Sequence, residues 1–176
     1  MILYTIRHGQ TVWNAEDRVC GRTDIPLTGL GMEQAREAGR KLADEHIDLM
    51  IVSPMLRARQ TADIIDGFIG VGYKTEDRLL EQNYGTFEGC KRDDAEYIKV
   101  KSEFAYRLPG GESPLDLCHR VYGLIEELNA KYGDKRVLLV SHGGVCRMIY
   151  TYFNSMMNEE YPKFRLGNCE IKKYEL

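Results

Sequence analysis

Two histidines stand at matching places in this chain. Arg7-His8-Gly9 follows directly on the run Ile2-Leu3-Tyr4-Thr5-Ile6, and Ser141-His142-Gly143-Gly144 follows directly on Val137-Leu138-Leu139-Val140. Each run reads as a short buried strand. A guanidinium and an imidazole at the end of such a strand are costly unless something anionic meets them. For either junction alone a plain turn, with glycine supplying a positive φ, is the commoner reading. The pair together, the first led by Arg7, predicts two imidazoles meeting at one sheet edge.

The elements that must position them alternate between strand and helix, the signature of an α/β layer fold. Strands are expected at 2–7, 49–52, 136–141 and 169–174, with an edge strand at 73–78. Thr28 is a plausible N-cap for a helix reaching His46, with Leu30, Ala35, Ala38 and Leu42 on one face. Ser53-Pro54 looks like an N-cap with proline at N1, opening a helix over 54–66. Residues 79–92 read as a loop and 93–106 as a polar helix, broken at Leu108-Pro109-Gly110-Gly111. Ser113-Pro114-Leu115-Asp116 is a capping box that starts a helix ended by Gly133-Asp134. A last helix is expected over 144–153. Without repeats, linkers or low-complexity segments, one domain over residues 1–176 is the economical reading.

The 176 residues are 43% apolar and 29% charged, which argues for a packed core and against disorder. A net charge of −3 disfavours non-specific binding to nucleic acid or an anionic membrane. The eleven tyrosines are scattered and form no stacking stripe for a single strand. No stretch is long and apolar enough to span a bilayer, and the first residues read as a strand and not as a secretory signal. Five widely spread cysteines, none in a CxxC pair, argue for reduced thiols in a cytoplasmic protein and against a disulfide frame or a zinc site. Cys20 is expected to pack, with a reactive thiol as the weaker reading. His46, His119 and Arg59 are expected at the surface. Arg22, Lys91, Arg92 and Arg107 read more often as surface cations than as substrate contacts.

Five segments then carry a resemblance over nearly the whole chain. Arg7-His8-Gly9-Gln10-Thr11-Val12-Trp13-Asn14 resembles the opening motif of the histidine phosphatase superfamily, also called phosphoglycerate mutase-like, with Gln10 where glutamate is usual. Gly21 to Thr28, Ser53 to Ala62, Glu81 to Gly89 and Ser141 to Gly144 resemble its remaining motifs, in order. The resemblance implies a three-layer α/β/α sandwich around a mainly parallel sheet of about six strands, one antiparallel. It implies a small phosphorylated metabolite as partner and His8 as the nucleophile that becomes a phosphohistidine. Arg7 and Arg57 would grip the phosphoryl oxygens, since their planar forks fit that geometry. His142, as a cation once loaded, and Asn14 would donate further hydrogen bonds. Gly9 would let the backbone come close, and Gly21 and Gly143 would complete the phosphate or substrate contacts. Glu81 is implied as general acid and base, a role helped by a raised pKa, with Glu88 the competitor. Asp24 and Glu112 read as loop or cap residues, and Tyr84 as either a pocket wall or loop packing. No metal or cofactor is implied.

The same family holds mutases, which carry a long insertion with paired arginines after the acid loop. Glu81 to Pro109 is too short for it and lacks those arginines, so the expectation is a phosphomonoesterase of the histidine acid phosphatase type. The run Gly21 to Thr28 resembles that of α-ribazole-5′-phosphate phosphatases and of broad-specificity bacterial phosphatases. A mutase, or a non-catalytic phosphate-binding protein on the same fold, is the alternative.

Overall fold

The computed structural model describes residues 1–101 and 103–176. Five strands form one sheet: β1 (Ile2–Arg7), β2 (Leu49–Val52), β3 (Tyr73–Thr75), β4 (Arg136–Ser141) and β5 (Ile171–Glu175). Their order is β3-β2-β4-β1-β5, and only β5 runs antiparallel to its neighbour. Six helical segments accompany them: α1 (Val12–Ala15), α2 (Gly29–Leu42), α3 (Leu56–Ile69), α4 (Ala95–Val100), α5 (Pro114–Tyr132) and α6 (Gly143–Phe153). The sixth strand implied by the resemblance is not found among the described residues. Only five apolar runs exist to pair, and from Glu76 to Asp134 the chain spends its apolar residues on helices and loops.

Strand alternation builds the layers. Leu3, Val137 and Leu139 face a core shared with Leu117, Val121, Leu124 and Ile149, on α5 and α6. Tyr4, Ile6, Leu138 and Val140 face the other core, shared with Ala38, Ala58, Ala62 and Ile65, on α2 and α3. A sheet apolar on both faces needs helices on both, hence the three layers. Each fully buried leucine or isoleucine contributes about 1.5–3 kcal/mol relative to exposure.

Several boundaries move, each for a visible reason. α2 ends at Leu42, because His46 takes a left-handed φ of 49° that returns Ile47 to the core. β3 stops at Thr75, where Glu76 caps a 3-10 turn that buries Leu79. α3 begins at Leu56, not at Pro54. Ser53 is drawn away by His142, whose Nε2 lies 2.7 Å from its Oγ, and Asp24 accepts the Leu56 N–H at 2.7 Å instead. The polar helix expected at 93–106 is confined to α4, capped by Asp94; residue 102 lies outside the described residues. The Ser113 capping box forms as expected, with both reciprocal bonds present.

Candidate active site

The register of β1 on β4 places the two histidines side by side. Arg7 pairs with Ser141, and the His8 N–H donates to the Ser141 carbonyl at 2.9 Å. The two imidazoles stand edge to face with centroids 5.2 Å apart. Both lie at the C-terminal end of parallel strands, where open α/β sheets present ligand sites.

His8 is 3% exposed, and its tautomer follows from its neighbours. Nδ1 lies 2.7 Å from the Gly9 carbonyl, which can only accept, so Nδ1 carries the proton. Nε2 receives the Arg57 Nε–H at 3.2 Å, so Nε2 holds the lone pair. Burial, then the charges of Arg57 and Arg7, hold the pKa of His8 well below 6.5. The result is a neutral imidazole with a fixed, unprotonated Nε2, the form a nucleophile needs. The close backbone approach at Gly9 is made to α2: a Cβ there would meet the Gly31 carbonyl oxygen at 2.4 Å.

Arg57 is fully buried beside His8. Its terminal nitrogens donate to the carbonyls of Thr23 at 2.9 Å and Gly21 at 2.7 Å. With Nε on His8, one N–H remains on each terminal nitrogen. Gly21 therefore orients Arg57 through its carbonyl, while its own N–H goes to Glu88 at 3.1 Å. Glu88 also accepts the Arg22 N–H and the Thr23 hydroxyl, which commits it to holding this loop.

Arg7 faces the cavity, with one terminal nitrogen on the Leu166 carbonyl at 2.8 Å and a buried Nε that has no protein partner. His142 stands behind His8, its Nδ1 buried and likewise unpartnered. Burial, Arg57, His8 and Arg7 hold its pKa well below 6.5, so His142 is neutral here; only a bound anion would favour the expected cation. Asn14 lines the cavity with its carbonyl oxygen taken by the Thr11 N–H at 3.1 Å, which leaves its amide N–H2 as a donor.

Glu81 is 5% exposed and lines the same cavity. Its carboxylate accepts the Gln82 N–H at 2.8 Å and, from the first turn of α6, the Gly144 N–H at 2.9 Å. A Cβ at position 144 would meet Glu81 Oε1 at 2.5 Å, so glycine is what lets the carboxylate reach that helix end. Gly143 lines the cavity beside it. Arg120 donates to the Glu81 carbonyl at 3.2 Å, the Arg78 carbonyl at 2.6 Å and both Glu112 oxygens at 3.1 Å.

The surface expectations hold for His46, His119 and Arg59, all exposed. Lys91 donates to the Glu16 carbonyl and Arg107 to Asp116, both in the open. Arg22 points to Glu112. Cys20 borders the cavity with its thiol pushed up to about 11 by burial, which suits packing and not reactivity. Tyr84 is a cavity wall. Four residues were not singled out as site members by sequence reasoning or were assigned to the surface: Arg92, Lys101, Arg147 and Arg165, all of which edge this cavity or the one adjoining it. Arg147 lies one turn beyond Gly143 on α6, a helical spacing that would have pointed to it. Arg165 carried no such signal. Among the described residues no group of three or more His, Cys, Asp or Glu could hold a metal ion, and no helix is long and apolar enough to cross a membrane.

Comparison with known proteins identifies the family. The family model for the histidine phosphatase superfamily (branch 1) matches residues 3–176. The uncharacterized phosphatase PhoE of Bacillus subtilis (strain 168) is 35% identical over 170 residues, covering 97% of this chain and 86% of that one. The probable phosphoglycerate mutase GpmB of Yersinia pestis (strain Pestoides F) is 30% identical over 180 residues, covering 98% and 84%. The solved structure of a candidate alpha-ribazole-5′-P phosphatase from Escherichia coli str. K-12 substr. MG1655 superposes with a TM-score of 0.82 at 27% identity, covering 94% and 85%.

Proposed function

The chain belongs to the histidine phosphatase superfamily, branch 1, and is thus an enzyme of phosphatase or phosphotransfer type; from that premise we propose that it hydrolyses small phosphomonoesters through a phosphohistidine on His8, without a metal ion. The observation that carries this reading is the lone pair on His8 Nε2, held between the Gly9 carbonyl and Arg57. Nε2 attacks phosphorus, and the ester P–O bond breaks with its electron pair leaving on oxygen. Glu81, protonated, gives its proton to that oxygen. Arg7, the two spare N–H groups of Arg57, His142 Nδ1 and the Asn14 amide stabilise the charge on the equatorial oxygens. In the second half, the Glu81 carboxylate takes a proton from water as water attacks phosphorus. The P–N bond breaks, and its pair returns to Nε2.

The acid and base role falls to Glu81 because Glu88 is tied to three residues of the 21–23 loop. The short stretch from Glu81 to Pro109 still favours hydrolysis over mutase chemistry. Arg92, Arg147 and Arg165, brought together from separate segments, are the specific observation in favour of a phosphoglycerate-type substrate and of the mutase reading. Phosphate release from a panel of phosphomonoesters, with chelator present, tests the proposal. Chelator-resistant release with an acid-labile, base-stable phosphoenzyme is expected, and both vanish in His8→Ala. Interconversion of 3- and 2-phosphoglycerate without phosphate release would replace hydrolysis by the mutase reading.

A further inference from the structure

Two cavities adjoin at the site. The inner one holds Arg7, His8 and Glu81; the outer one adds Lys101 and Tyr97; Tyr84, Arg92, Arg147 and Arg165 border both. Glu81 is the one carboxylate lining either of them, among the described residues. Among the described residues no carboxylate lies within ion-pairing distance of Lys101, Arg147 or Arg165, and Arg92 meets only Asp17, at 3.4 Å. This concentrates three cations without a carboxylate partner, and a fourth with one largely exposed partner, in a chain of net charge −3.

The charge count exceeds what one phosphoryl group neutralises. A phosphate monoester brings about two negative charges near neutral pH, and Arg7 with Arg57 match them. The outer four cations remain, offset only by Glu81 and the largely exposed Asp17. The crowding is felt: burial first, and then the charges of Arg165, Arg147 and Arg92, lower the pKa of Lys101. Arg147 is held for its task, with Nε on the Phe164 carbonyl at 3.2 Å and its guanidinium 4.9 Å from the Tyr161 ring centroid. Arg165 sits beside Leu166, whose carbonyl anchors Arg7, so the inner and outer cations share one loop.

Building on the phosphomonoesterase reading, we propose that Arg92, Lys101, Arg147 and Arg165 form a second-anion subsite, so that the preferred substrate is a small phosphomonoester carrying a further carboxylate or phosphate. A neutral nucleoside-like tail such as that of α-ribazole-5′-phosphate leaves these cations unmatched. Selectivity is then set by a charge at the rim and not by the shape of an apolar slot.

The test compares three esters on one three-carbon skeleton: glycerol 1-phosphate, 3-phosphoglycerate and propane-1,3-diol bisphosphate. At least one doubly anionic ester is expected to exceed glycerol 1-phosphate in kcat/KM by about 10- to 100-fold, the range of one or two charge-assisted hydrogen bonds. Which one exceeds it tells carboxylate from phosphate. In Arg165→Gln, an exposed position that leaves the core untouched, that ratio falls toward one; in Arg165→Glu it falls further. Raised salt lowers it as well. A native ratio near one, or a ratio that Arg165→Gln and Arg165→Glu leave alone, overturns the subsite while leaving the hydrolase reading intact. Absence of turnover on all three esters and on p-nitrophenyl phosphate overturns both.

Discussion

The floor of the cavity and its rim are both rich in donors, yet the chain holds them in opposite ways. On the floor, His8, His142 and Glu81 are nine-tenths or more buried, and each is tied to a strand end or a helix start by main-chain bonds. At the rim, Arg92, Lys101, Arg147 and Arg165 come from loops and helix surfaces and are more exposed. In the proposed reaction, fixing the floor would preorganise charge for bond breaking, which must not wait for side chains to move. A looser rim would cost the proposed subsite little, because it would have only to favour one tail over another.

The most severe way to break this contrast is at the floor itself. His8→Ala is expected to lower phosphate release by about a thousandfold or more, as loss of a covalent nucleophile does. Phosphate release that persists would place the nucleophile elsewhere. Glu81→Gln is expected to cost about 10²- to 10⁴-fold in kcat, and less for p-nitrophenyl phosphate, whose leaving group needs no proton. Phosphoenzyme should then accumulate in rapid-quench experiments. An equal loss on all esters, without accumulation, would remove Glu81 from both proton transfers.

Between floor and rim stands the clamp of Glu112 and Arg120. Burial pushes the Glu112 carboxyl up, but Arg120, the Asn83 N–H and Arg22 more than offset it and hold it below the usual range. Glu112→Ala strands Arg120 beneath the acid loop, and thermal or urea unfolding should show a loss of about 1–3 kcal/mol. No loss would mean that the loop holds Glu81 without the clamp.

A pH series sharpens the floor further. His8 and His142 are neutral when folded, with pKa values well below the 6.5 of the unfolded chain. The unfolded state therefore binds more protons below 6.5, and stability, fully present above it, declines as pH falls toward the folded values. Melting temperature should drop from pH 7.5 to 5.5, and the drop should be shallower in His8→Ala. Equal slopes in the two proteins would contradict the assignment. At the small end, Arg107→Ala and Lys91→Ala, outside the rim, should change kcat/KM by less than about twofold; larger effects would widen the subsite.

Local signals carried most of the framework. Apolar runs located all five strands, and the Ser113 capping box marked the start of α5. The histidine junctions foretold the shared edge because parallel neighbours end together. What local pattern missed lies in competition between distant groups. Ser53 has the right neighbours to cap α3, but His142 claims its hydroxyl and Asp24 replaces it. Arg57 has the right place to grip a phosphate, yet three of its five N–H groups go to His8, Gly21 and Thr23. Arg147 and Arg165 join Arg92 only through the closing of the C-terminal loop. A search for paired arginines within one segment passes over a cluster assembled from three.

The pairing of β1 with β4 and β5 also has a cost during synthesis. β1 leaves the ribosome long before its two partners, since β4 is made only after α5 and β5 only after α6. At about 5–20 residues per second, β1 waits on the order of ten seconds with its apolar faces uncovered. Recovery of activity on refolding therefore reports the final closure of the central sheet, because no fragment that stops short of β4 holds the two histidines together.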